Sequence, residues 1–301
     1  MELKQTILFL VNPFAGKGNA LHTANLAIEK LNSIGFDTEL FISNKIGDLS
    51  NFVNKYKVEN TSKVAVLGGD GTMNEIINSI ILKPEWLAIP YLLFPCGTGN
   101  AFNHDMNCLT NEQAIEQLTK NEWVMVDLLE VKTSQSTIWS FNIIGCGLVS
   151  NINVLAEKTR WLGAARYNIA SLINIIFNKT IKAKVFVNNE KVEADFCFIL
   201  ACNTKYTGKG MKMAPMAKLN DGLIDLLIVK KTSRLKLFTL FPQVFSGKHI
   251  HSPILQYIQT DYFKVETAQN YLLNIDGEVK GNTPFEVTVH KQKLKILTFY
   301  K

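Results

Sequence analysis

Long apolar runs and grouped cysteines are both absent from this chain of 301 residues. The longest apolar stretches, such as Phe196–Cys202, are far shorter than the ~20 residues of a membrane-spanning helix. The five cysteines include no CxxC pair, and no cluster of His and Cys suits zinc or haem. We therefore expect buried, reduced thiols in a cytoplasmic protein, and we interpret the short N-terminal apolar segment as a first strand and not as a signal peptide.

Arginine is absent from residues 1–127, and the charge of the chain is unevenly distributed. Residues 1–127 carry nine lysines against fourteen acidic residues, a net charge of −5, whereas residues 128–301 carry 23 basic residues against 12 acidic ones, a net charge of +11. A basic half suits an anionic partner, which is a nucleic acid, a phosphate ligand or an anionic lipid surface. A solvated basic surface without any partner explains the charge equally well.

Short apolar runs alternate with helical patterns in the first part of the chain. Ile7–Val11, Val64–Leu67 and Ile89–Phe94 have the length of buried strands, and each run is followed by a glycine-containing turn. Apolar residues recur at helical spacing in Ala20–Leu31 and Thr72–Leu82. This alternation predicts a doubly wound parallel sheet, in which ligands bind at the carboxyl ends of the strands.

The pattern changes after Asp127, where strand-like runs follow one another with only turns between them. Two helical inserts interrupt these runs, at about 149–177 and at Leu235–Phe245. We therefore predict two domains, 1–127 and 128–301, the second an antiparallel β domain with a helical insertion, and a cleft between them. The predicted strands of the second domain are Leu128–Lys132, Ile138–Ile144, Lys184–Val187, Glu193–Ala201, Leu223–Val229, Tyr262–Val265, Tyr271–Ile275, Phe285–Val289 and Leu294–Phe299.

Three glycine-rich turns follow successive strands of the predicted parallel sheet. They are Asn12–Gly18, Gly68–Thr72 and Pro95–Asn100. Glycines let backbone N–H groups approach a phosphate closely, and the start of a helix adds the positive end of its dipole. Asp70 suits such a turn only beside a cation, a hydroxyl proton or a ribose hydroxyl, and Thr72 is placed to cap the next helix. Each turn alone is an ordinary connection, but the three together predict one phosphate-binding crevice.

Two motifs in the second half have both a chemical and a purely structural interpretation. Ile275–Glu278 contains a pair of carboxylates, but its Asp-Gly is also a standard signal for a tight hairpin. In Ala214–Asp225, Asp221 and Asp225 either hold a divalent cation with backbone carbonyls or begin a strand through an Asp-Gly turn. Spacing alone leaves both interpretations open.

Taken together and in order, these motifs resemble those of the diacylglycerol kinase catalytic family, which also contains sphingosine and ceramide kinases. The resemblance runs from Asn12 to Glu278, and it rests on Asn-Pro-x-x-Gly, Gly-Gly-Asp-Gly-Thr-x-Asn-Glu, Pro-x-Gly-Thr-Gly-Asn, Ala-Pro-x-Ala-x-Leu-Asn-Asp-Gly and Asp-Gly-Glu. It implies transfer of the γ-phosphoryl group of ATP to a lipid hydroxyl with Mg²⁺. The implied fold is a nucleotide-binding α/β domain followed by a β-sandwich domain.

The resemblance also implies roles for individual residues. Asp70 is similar to the aspartate that contacts the metal-bound nucleotide or activates the lipid hydroxyl. Glu278, with Asp276, resembles the proton acceptor of the bacterial enzymes. Asp221 resembles a structural magnesium ligand that is joined by main-chain carbonyls, here those of Lys218 and Leu223. The residues that the resemblance assigns to the nucleotide are Asn12, Pro13, Phe14, Ala15, Gly16, Gly69, Asp70, Gly71, Thr72, Asn74, Glu75 and Thr98.

Two departures from the family pattern bear on the lipid. Ala101 stands where many bacterial diacylglycerol kinases have Asp, and Glu157–Tyr167 is similar to the sphingosine and ceramide kinase branch. Sphingosine kinases, however, carry an aspartate where this chain has Asn151, and an amide pairs poorly with an ammonium group. We assign Asn100 and Asn151 to the lipid head group, favour diacylglycerol, and keep ceramide-like and other hydroxylated lipids open.

These observations predict a cytoplasmic lipid kinase that lies on the inner face of the membrane through its basic second domain. The helical insert is interpreted either as an acyl-chain pocket or as a helix packed on the sheet. No nucleic acid partner is expected, and a homodimer stays open. The rival interpretations are an NAD kinase, which shares Gly-Gly-Asp-Gly, and a catalytically silent binding module. The basic residues expected at the bilayer are Lys205, Lys209, Lys212, Lys230, Lys231, Arg234 and Lys236.

Overall fold

The computed structural model of this chain describes residues 6–97, 99–148, 150, 175–177, 179–208 and 210–298. The strands are β1 (Thr6–Val11), β2 (Asp37–Ile42), β3 (Thr61–Gly68), β4 (Tyr91–Pro95), β5 (Trp123–Thr133), β6 (Thr137–Ser140), β7 (Ile143–Gly147), β8 (Ile181–Val187), β9 (Glu190–Cys202), β10 (Ile224–Lys230), β11 (Leu255–Thr260), β12 (Tyr262–Glu266), β13 (Leu272–Ile275), β14 (Glu278–Asn282) and β15 (Phe285–Leu297). The α-helices bounded within the described residues are α1 (Ala20–Ser33), α2 (Asp48–Lys55), α3 (Asp70–Ile80), α4 (Pro84–Leu87), α5 (Ala101–Asp105), α6 (Asn111–Thr119), α7 (Arg234–Leu240) and α8 (Gln243–Ser246).

The chain divides into two compact units, Met1–Val126 with Gln292–Lys301 and Asp127–Lys291. The sequence-based division differs at the end of the chain, because it gives all of 128–301 to the second domain. The physical reason is the long strand β15, whose first residues pair with β12 in the second unit, whereas its Ile296 pairs with Tyr91 in the first. With the last residues reassigned and Asp127 included, the second unit has 20 basic residues against 13 acidic ones and a net charge of +7.

The first unit is a parallel sheet whose strands lie in the order β15, β4, β3, β1 and β2. Residues 7–11 of β1 are completely buried, as are residues 64–67 of β3, which is typical of parallel strands covered on both faces. The predicted helix Ala20–Leu31 is confirmed as α1, which buries one residue per turn. The parallel α/β architecture predicted for this part of the chain is therefore confirmed.

Helix α3 begins earlier than its apolar pattern predicts. Its first residue is Asp70 and its N-cap is Gly69, so Thr72 does not cap the helix as expected. Thr72 is instead a buried residue of the first turn, and its N–H donates to the oxygen of Gly69. The periodicity of apolar residues starts only at Met73, so it could not reveal the polar first turn.

The second unit consists of antiparallel strands around an apolar core. Strand β9 pairs with β7, β8 and β10; β13 and β14 continue beyond β7, β12 lies beside β8, and β11 lies beside β10. Strand β8 alternates between buried and more exposed residues, the pattern of a strand with one buried face. Its buried residues contribute to a core that also contains Phe196, Phe263 and Val287. This is the β-sandwich-like architecture that the sequence predicts.

Several elements of the second unit differ from the sequence-based prediction. The predicted strand Ile138–Ile144 is two strands, because Phe141 and Asn142 turn the chain between β6 and β7. Strands β11 and β14 are additional, and the two last predicted strands are one, β15. The predicted helix Leu235–Phe245 is divided at Pro242 into α7 and α8. The insert predicted at about 149–177 lies almost entirely outside the described residues.

Among the described residues, no helix is both long enough and apolar enough to span a membrane.

Candidate active site

In the first unit, the carboxyl ends of β1 and β3 are tied together by Asn12. Its main-chain N–H donates to the oxygen of Leu67 at 2.9 Å, and its Nδ2 donates to Oγ1 of Thr72 at 3.2 Å. Its Oδ1 accepts a hydrogen bond from the N–H of Phe14 at 3.1 Å. Asn12 therefore orders the turn that follows β1 and attaches it to the first turn of α3.

The glycines after β3 and β4 allow two turns to approach each other. A Cβ atom on Gly97 would lie 3.0 Å from Cα of Gly69 and 2.8 Å from Oδ1 of Asn100. A Cβ atom on Gly68 would lie 2.4 Å from Cβ of Thr72. Side chains at Gly68 and Gly97 are therefore excluded by the close approach of Thr72, Asn100 and the backbone of Gly69. The three glycine turns thus meet at one edge of the parallel sheet, as predicted.

Asp70 lies at the start of α3, directly beyond this meeting point. The amino-terminal end of an eleven-residue helix carries the positive end of the helix dipole, which favours an anion. A carboxylate in the same place repels a bare phosphate, and it is compatible with one only when a cation or a donor hydrogen lies between them. The position therefore suits a phosphate group that arrives with a metal ion.

Other residues assigned to the nucleotide occupy different places around this edge. Phe14 is largely exposed, whereas Asn74 is buried within α3, where its oxygen atoms accept hydrogen bonds from Asn78. Asn100, expected at the lipid head group, has left-handed backbone geometry and donates from Nδ2 to the oxygen of Pro95 at 3.0 Å. The assigned residues that lie outside the described residues are Thr98 and Asn151.

Glu75 holds the loop that follows β2. Its Oε1 accepts hydrogen bonds from the main-chain N–H groups of Gly47 at 3.2 Å and Ser50 at 3.3 Å. Gly47 has φ of 89°, a left-handed geometry that glycine adopts without strain. Ser43 also ties this loop to the end of β1, since its N–H donates to the oxygen of Val11. This fourth loop lies outside the three predicted glycine turns, and the sequence signal that could have revealed it is Gly47 immediately before α2.

In the second unit, the carboxylates of the late Asp-Gly-Glu motif have opposite environments. Asp276 and Gly277 form a two-residue turn between β13 and β14, with φ values of 51° and 87°. Asp276 is only 2% exposed, whereas the Glu278 side chain is 48% exposed and lies 2.6 Å from Nζ of Lys280. Of these two carboxylates, only that of Glu278 is accessible to a substrate.

The carboxylate of Asp276 holds the turn between β6 and β7. Its Oδ1 accepts hydrogen bonds from Oγ of Ser140 at 2.7 Å and from the N–H groups of Asn142 and Ile143 at 3.0 Å, and its Oδ2 accepts one from the N–H of Phe141 at 3.2 Å. Such contacts fix a charged group in place. The catalytic role assigned to Asp276 stays a prediction, and the structure shows these four contacts for its carboxylate.

Asp221, assigned to a structural magnesium ion, lies in a turn before β10. Its Oδ1 accepts from the N–H of Leu223 at 3.0 Å, and the intervening Gly222 has φ of 77° and donates to Oδ2 of Asp127 at 2.6 Å. Burial raises the pKa of Asp225 above its ordinary value, and Gln259 donates to that carboxylate. The Asp-Gly turn is therefore present.

Asp221 offers one partly exposed carboxylate to a cation, and oxygen ligands are what magnesium prefers. The main-chain oxygens of Lys218 and Leu223 are assigned to the ion by the family resemblance. No group of three or more His, Cys, Asp or Glu side chains placed to hold a metal occurs among the described residues. Any ion here would therefore depend on Asp221 as its main charged ligand.

Two parts of the chain each match the model of a known protein family. The model described as the diacylglycerol kinase catalytic domain matches residues 6–131, and the model described as the YegS C-terminal NAD kinase beta sandwich-like domain matches residues 142–298, more than half of the chain. A crystal structure of a diacylglycerol kinase from Bacillus anthracis str. Sterne has a similar fold, with a TM-score of 0.78 at 21% identity, covering 98% of this chain and 97% of that one.

Curated relatives match over nearly the whole chain. A diacylglycerol kinase of Mycobacterium tuberculosis is 27% identical over 295 residues, which cover 96% of this chain and 93% of the relative. Sphingosine kinase 2 of Arabidopsis thaliana is 24% identical over 331 residues, which cover 91% of this chain and 68% of the relative. Together with the two family models, these matches establish that the chain belongs to the diacylglycerol kinase catalytic family of lipid kinases.

Proposed function

We propose that this lipid kinase transfers the γ-phosphoryl group of ATP to the hydroxyl of a diacylglycerol-like membrane lipid. The observation that carries the proposal is the meeting of three glycine turns at the carboxyl edge of the first unit's sheet, with Asp70 at the start of α3. Backbone N–H groups and a helix dipole are the means by which proteins commonly hold a triphosphate. Asn12, Gly69 and Thr72 support this nucleotide site by fixing the two turns against each other.

The proposal includes Mg²⁺, which neutralises the phosphate charge when it is bound with ATP. Asp70 would hold this ion beside the nucleotide. The support for that role is its position in the first turn of α3, where the helix dipole favours an anion. Asp221 would hold a second, structural ion with the main-chain oxygens of Lys218 and Leu223. Asn74 and Glu75 would act on the nucleotide indirectly, because their side chains order α3 and the loop after β2.

Glu278 is the proposed proton acceptor for the lipid hydroxyl. Its side chain is accessible, and a carboxylate that takes up a proton as the new bond forms contributes ~10²–10⁴-fold to such reactions. Asp276 is proposed to orient the hairpin that carries Glu278, because its carboxylate accepts four hydrogen bonds from residues 140–143. The turn is therefore held at Asp276 against the segment between β6 and β7.

Diacylglycerol is the proposed lipid, with a sphingoid or ceramide-type lipid as the second candidate. The bacterial relative that is matched over 93% of its length is a diacylglycerol kinase, whereas the sphingosine kinase relative is matched over only 68% of its length. Asn151, which replaces an aspartate, disfavours the ammonium group of sphingosine. The role predicted for Asn100 at the head group would be indirect, because its side chain stabilises the turn that follows β4.

The enzyme is proposed to reach its lipid as a peripheral protein on the inner face of the membrane. The net charge of +7 on the second unit supports contact of this unit with anionic lipid, since each basic residue near such a surface contributes ~1 kcal/mol. A homodimer stays a prediction without a residue assigned to it.

A panel of acceptors tests the proposed substrate. Purified protein is incubated with radiolabelled ATP, Mg²⁺ and mixed micelles that contain diacylglycerol, ceramide or sphingosine, with NAD as a water-soluble acceptor. We expect the fastest transfer to diacylglycerol. Fastest transfer to ceramide would replace the proposed lipid by the second candidate, and label found only in NAD would contradict lipid phosphorylation by this chain.

A further inference from the structure

The second unit exposes large apolar side chains in two segments that contain no acidic residue and that are separated by Asp221 and Asp225. Leu235 is 78% exposed, Met216 is 52% exposed and Phe245 is 42% exposed. Residues 196–220 and 226–260 together contain nine Lys and Arg residues and no Asp or Glu. Exposed apolar residues in segments whose charged residues are all basic are typical of an interaction site rather than of ordinary surface.

One apolar cluster beneath this surface brings the exposed residues together. Leu237 and Leu240 of α7 are buried in the same cluster as Ala214 and Ala217, which flank Met216 in sequence. The helical period then leaves Leu235 on the outer side of α7.

Helix α8 and the turn after it adjoin the same segment. The ring of Phe245 lies 5.9 Å from that of Phe241, which packs on the cluster. A Cβ atom on Gly247 would lie 2.9 Å from Pro215, so the end of α8 touches the segment that carries Met216. Helices α7 and α8 and the segment that carries Met216 therefore pack on one apolar cluster.

Exposed basic residues accompany these apolar side chains. Arg234 and Lys236 flank Leu235 in α7, and Lys248 follows α8 by two residues. Their side chains combine long apolar stems with charged ends, which lets them lie along an apolar surface and still reach phosphate groups. The charge complements an anionic bilayer, and the apolar side chains offer it a group that enters the acyl region.

We propose that Leu235, Met216 and Phe245, with Arg234, Lys236 and Lys248, form a docking face that inserts into anionic lipid bilayers. The docking face deepens the proposed function, on which it rests, by adding apolar insertion to simple charge attraction. Basic residues meet the phosphate groups, and Leu235 enters the region below them. Two kinds of attraction are needed because a single weak anchor gives only marginal, reversible membrane binding.

Vesicle sedimentation of the full chain tests the docking face. Wild type and Leu235→Ser are compared on phosphatidylcholine vesicles with and without phosphatidylglycerol, at low and at high salt. Leu82→Ser is the matched control, because Leu82 is 88% exposed in the first unit. Loss of one inserted leucine is expected to weaken partitioning into anionic vesicles about tenfold, and the control is expected to bind like wild type.

The salt dependence of vesicle binding distinguishes insertion of apolar side chains from electrostatic attraction of basic ones. Arg234→Gln with Lys236→Gln is expected to weaken binding at low salt and to have little effect at high salt, because salt screens charges beyond ~8 Å. The effect of Leu235→Ser is expected at both salt concentrations. If the Leu235→Ser, Phe245→Ser double variant binds as wild type does, or if Leu82→Ser loses as much as Leu235→Ser, the docking face is wrong.

A dispersed substrate distinguishes failure of the docking face from failure of the proposed function. Leu235→Ser is expected to phosphorylate a short-chain, dispersed diacylglycerol at the wild-type rate, and lipid in vesicles more slowly. Wild-type protein that binds vesicles through Leu235 and phosphorylates no lipid would contradict the proposed function alone. Wild-type protein that phosphorylates dispersed lipid and ignores anionic vesicles would contradict the docking face alone.

Discussion

Asp70 is the residue whose removal has the clearest predicted consequence. It lies in the first turn of α3, outside the buried strands, so Asp70→Asn is expected to keep the melting temperature of the wild type. Turnover is expected to fall at least ~10²-fold, because a carboxylate that holds a metal or a proton in place is lost. Steady-state rates and thermal unfolding measure the two effects. Glu85→Gln, which changes an acidic residue in the first turn of α4, is the control and is expected to change neither.

Glu278→Gln is predicted to remove the proton acceptor and to leave the hairpin intact. We expect kcat to fall ~10²–10⁴-fold with little change in stability, since the side chain is exposed. Glu266→Gln is the matched control, because Glu266 is also an exposed strand residue and is paired with Lys264 at 2.8 Å. Equal loss of kcat in both variants would show that the loss of an exposed, ion-paired carboxylate in general, and not of proton transfer to Glu278, explains the effect.

Asp276→Asn is predicted to lower stability, in contrast to Asp70→Asn. Asparagine tolerates the left-handed backbone of this position, so the change isolates the side-chain contacts. Replacing one carboxylate oxygen by an amide nitrogen leaves at least one N–H of residues 141–143 without its acceptor, at a cost of ~1–3 kcal/mol. Thermal or denaturant unfolding measures this loss. An unchanged melting temperature with abolished turnover would instead make Asp276 a catalytic residue.

Among the elements, those with a continuous apolar pattern could be predicted and those fixed by distant partners could not. Apolar runs predict β1 and β3, and helical spacing of apolar residues predicts α1. The structure has all three within a few residues of the predicted bounds. The break between β6 and β7 depends on Asp276, which is more than 130 residues away in the sequence. No local pattern carries such information, so the run Ile138–Ile144 is indistinguishable from one strand.

The same distinction applies to the candidate site. The glycine turns are visible in the sequence because glycine is required where the turns approach each other closely, and Asp70 stands out as a carboxylate between such glycines. The direction of a side chain is not visible, so Glu75 resembles a ligand-binding residue although its carboxylate holds Gly47 and Ser50. Asp276 and Glu278 are two residues apart in the sequence, but only the fold separates the buried carboxylate from the exposed one.

The turn before β10 yields a prediction about metal dependence. If Asp221 holds a structural ion, Mg²⁺ raises the melting temperature of the wild type, and Asp221→Ala abolishes this rise and lowers activity with it. Asp261→Ala, a change in another exposed turn of the second unit, is the control and is expected to keep the rise. The readout is the effect of Mg²⁺, because Asp221→Ala also removes the hydrogen bond from Leu223. A wild-type melting temperature that is independent of Mg²⁺ would favour a purely structural Asp-Gly turn.

For the whole molecule, the charge difference between the units predicts salt-dependent membrane binding. Changing Lys230, Lys231, Arg234 and Lys236 to Glu is expected to weaken sedimentation with anionic vesicles at low salt and to slow phosphorylation of lipid in them. Activity on a dispersed short-chain lipid is expected to stay near that of wild type. Changing Lys30, Lys45, Lys55 and Lys57 of the first unit to Glu alters the net charge equally and is expected to affect vesicle binding less. Equal effects of the two sets would attribute binding to net charge alone.

At the same scale, the order of the two domain types is predictable, whereas the path of the chain is not. An alternating pattern followed by successive strands separates the α/β unit from the β unit. The return of 292–301 to the first unit depends on one pairing, between Ile296 and Tyr91, within a strand that looks uniform in sequence. Together with the inclusion of Asp127, it lowers the net charge of the basic unit from the +11 of residues 128–301 to +7.

The central claim, that Asp70 and the glycine turns serve ATP-dependent phosphorylation of a lipid, is tested most directly by following the γ-phosphoryl group itself. ATP radiolabelled at the γ-phosphate is incubated with diacylglycerol micelles and either wild type or Asp70→Asn, with and without Mg²⁺. We predict that wild type with Mg²⁺ yields a labelled, organic-extractable phospholipid, and that omission of Mg²⁺ or the Asp70→Asn change removes it. Undiminished labelling of the lipid by a folded Asp70→Asn protein, or wild-type labelling of no lipid, would contradict this account.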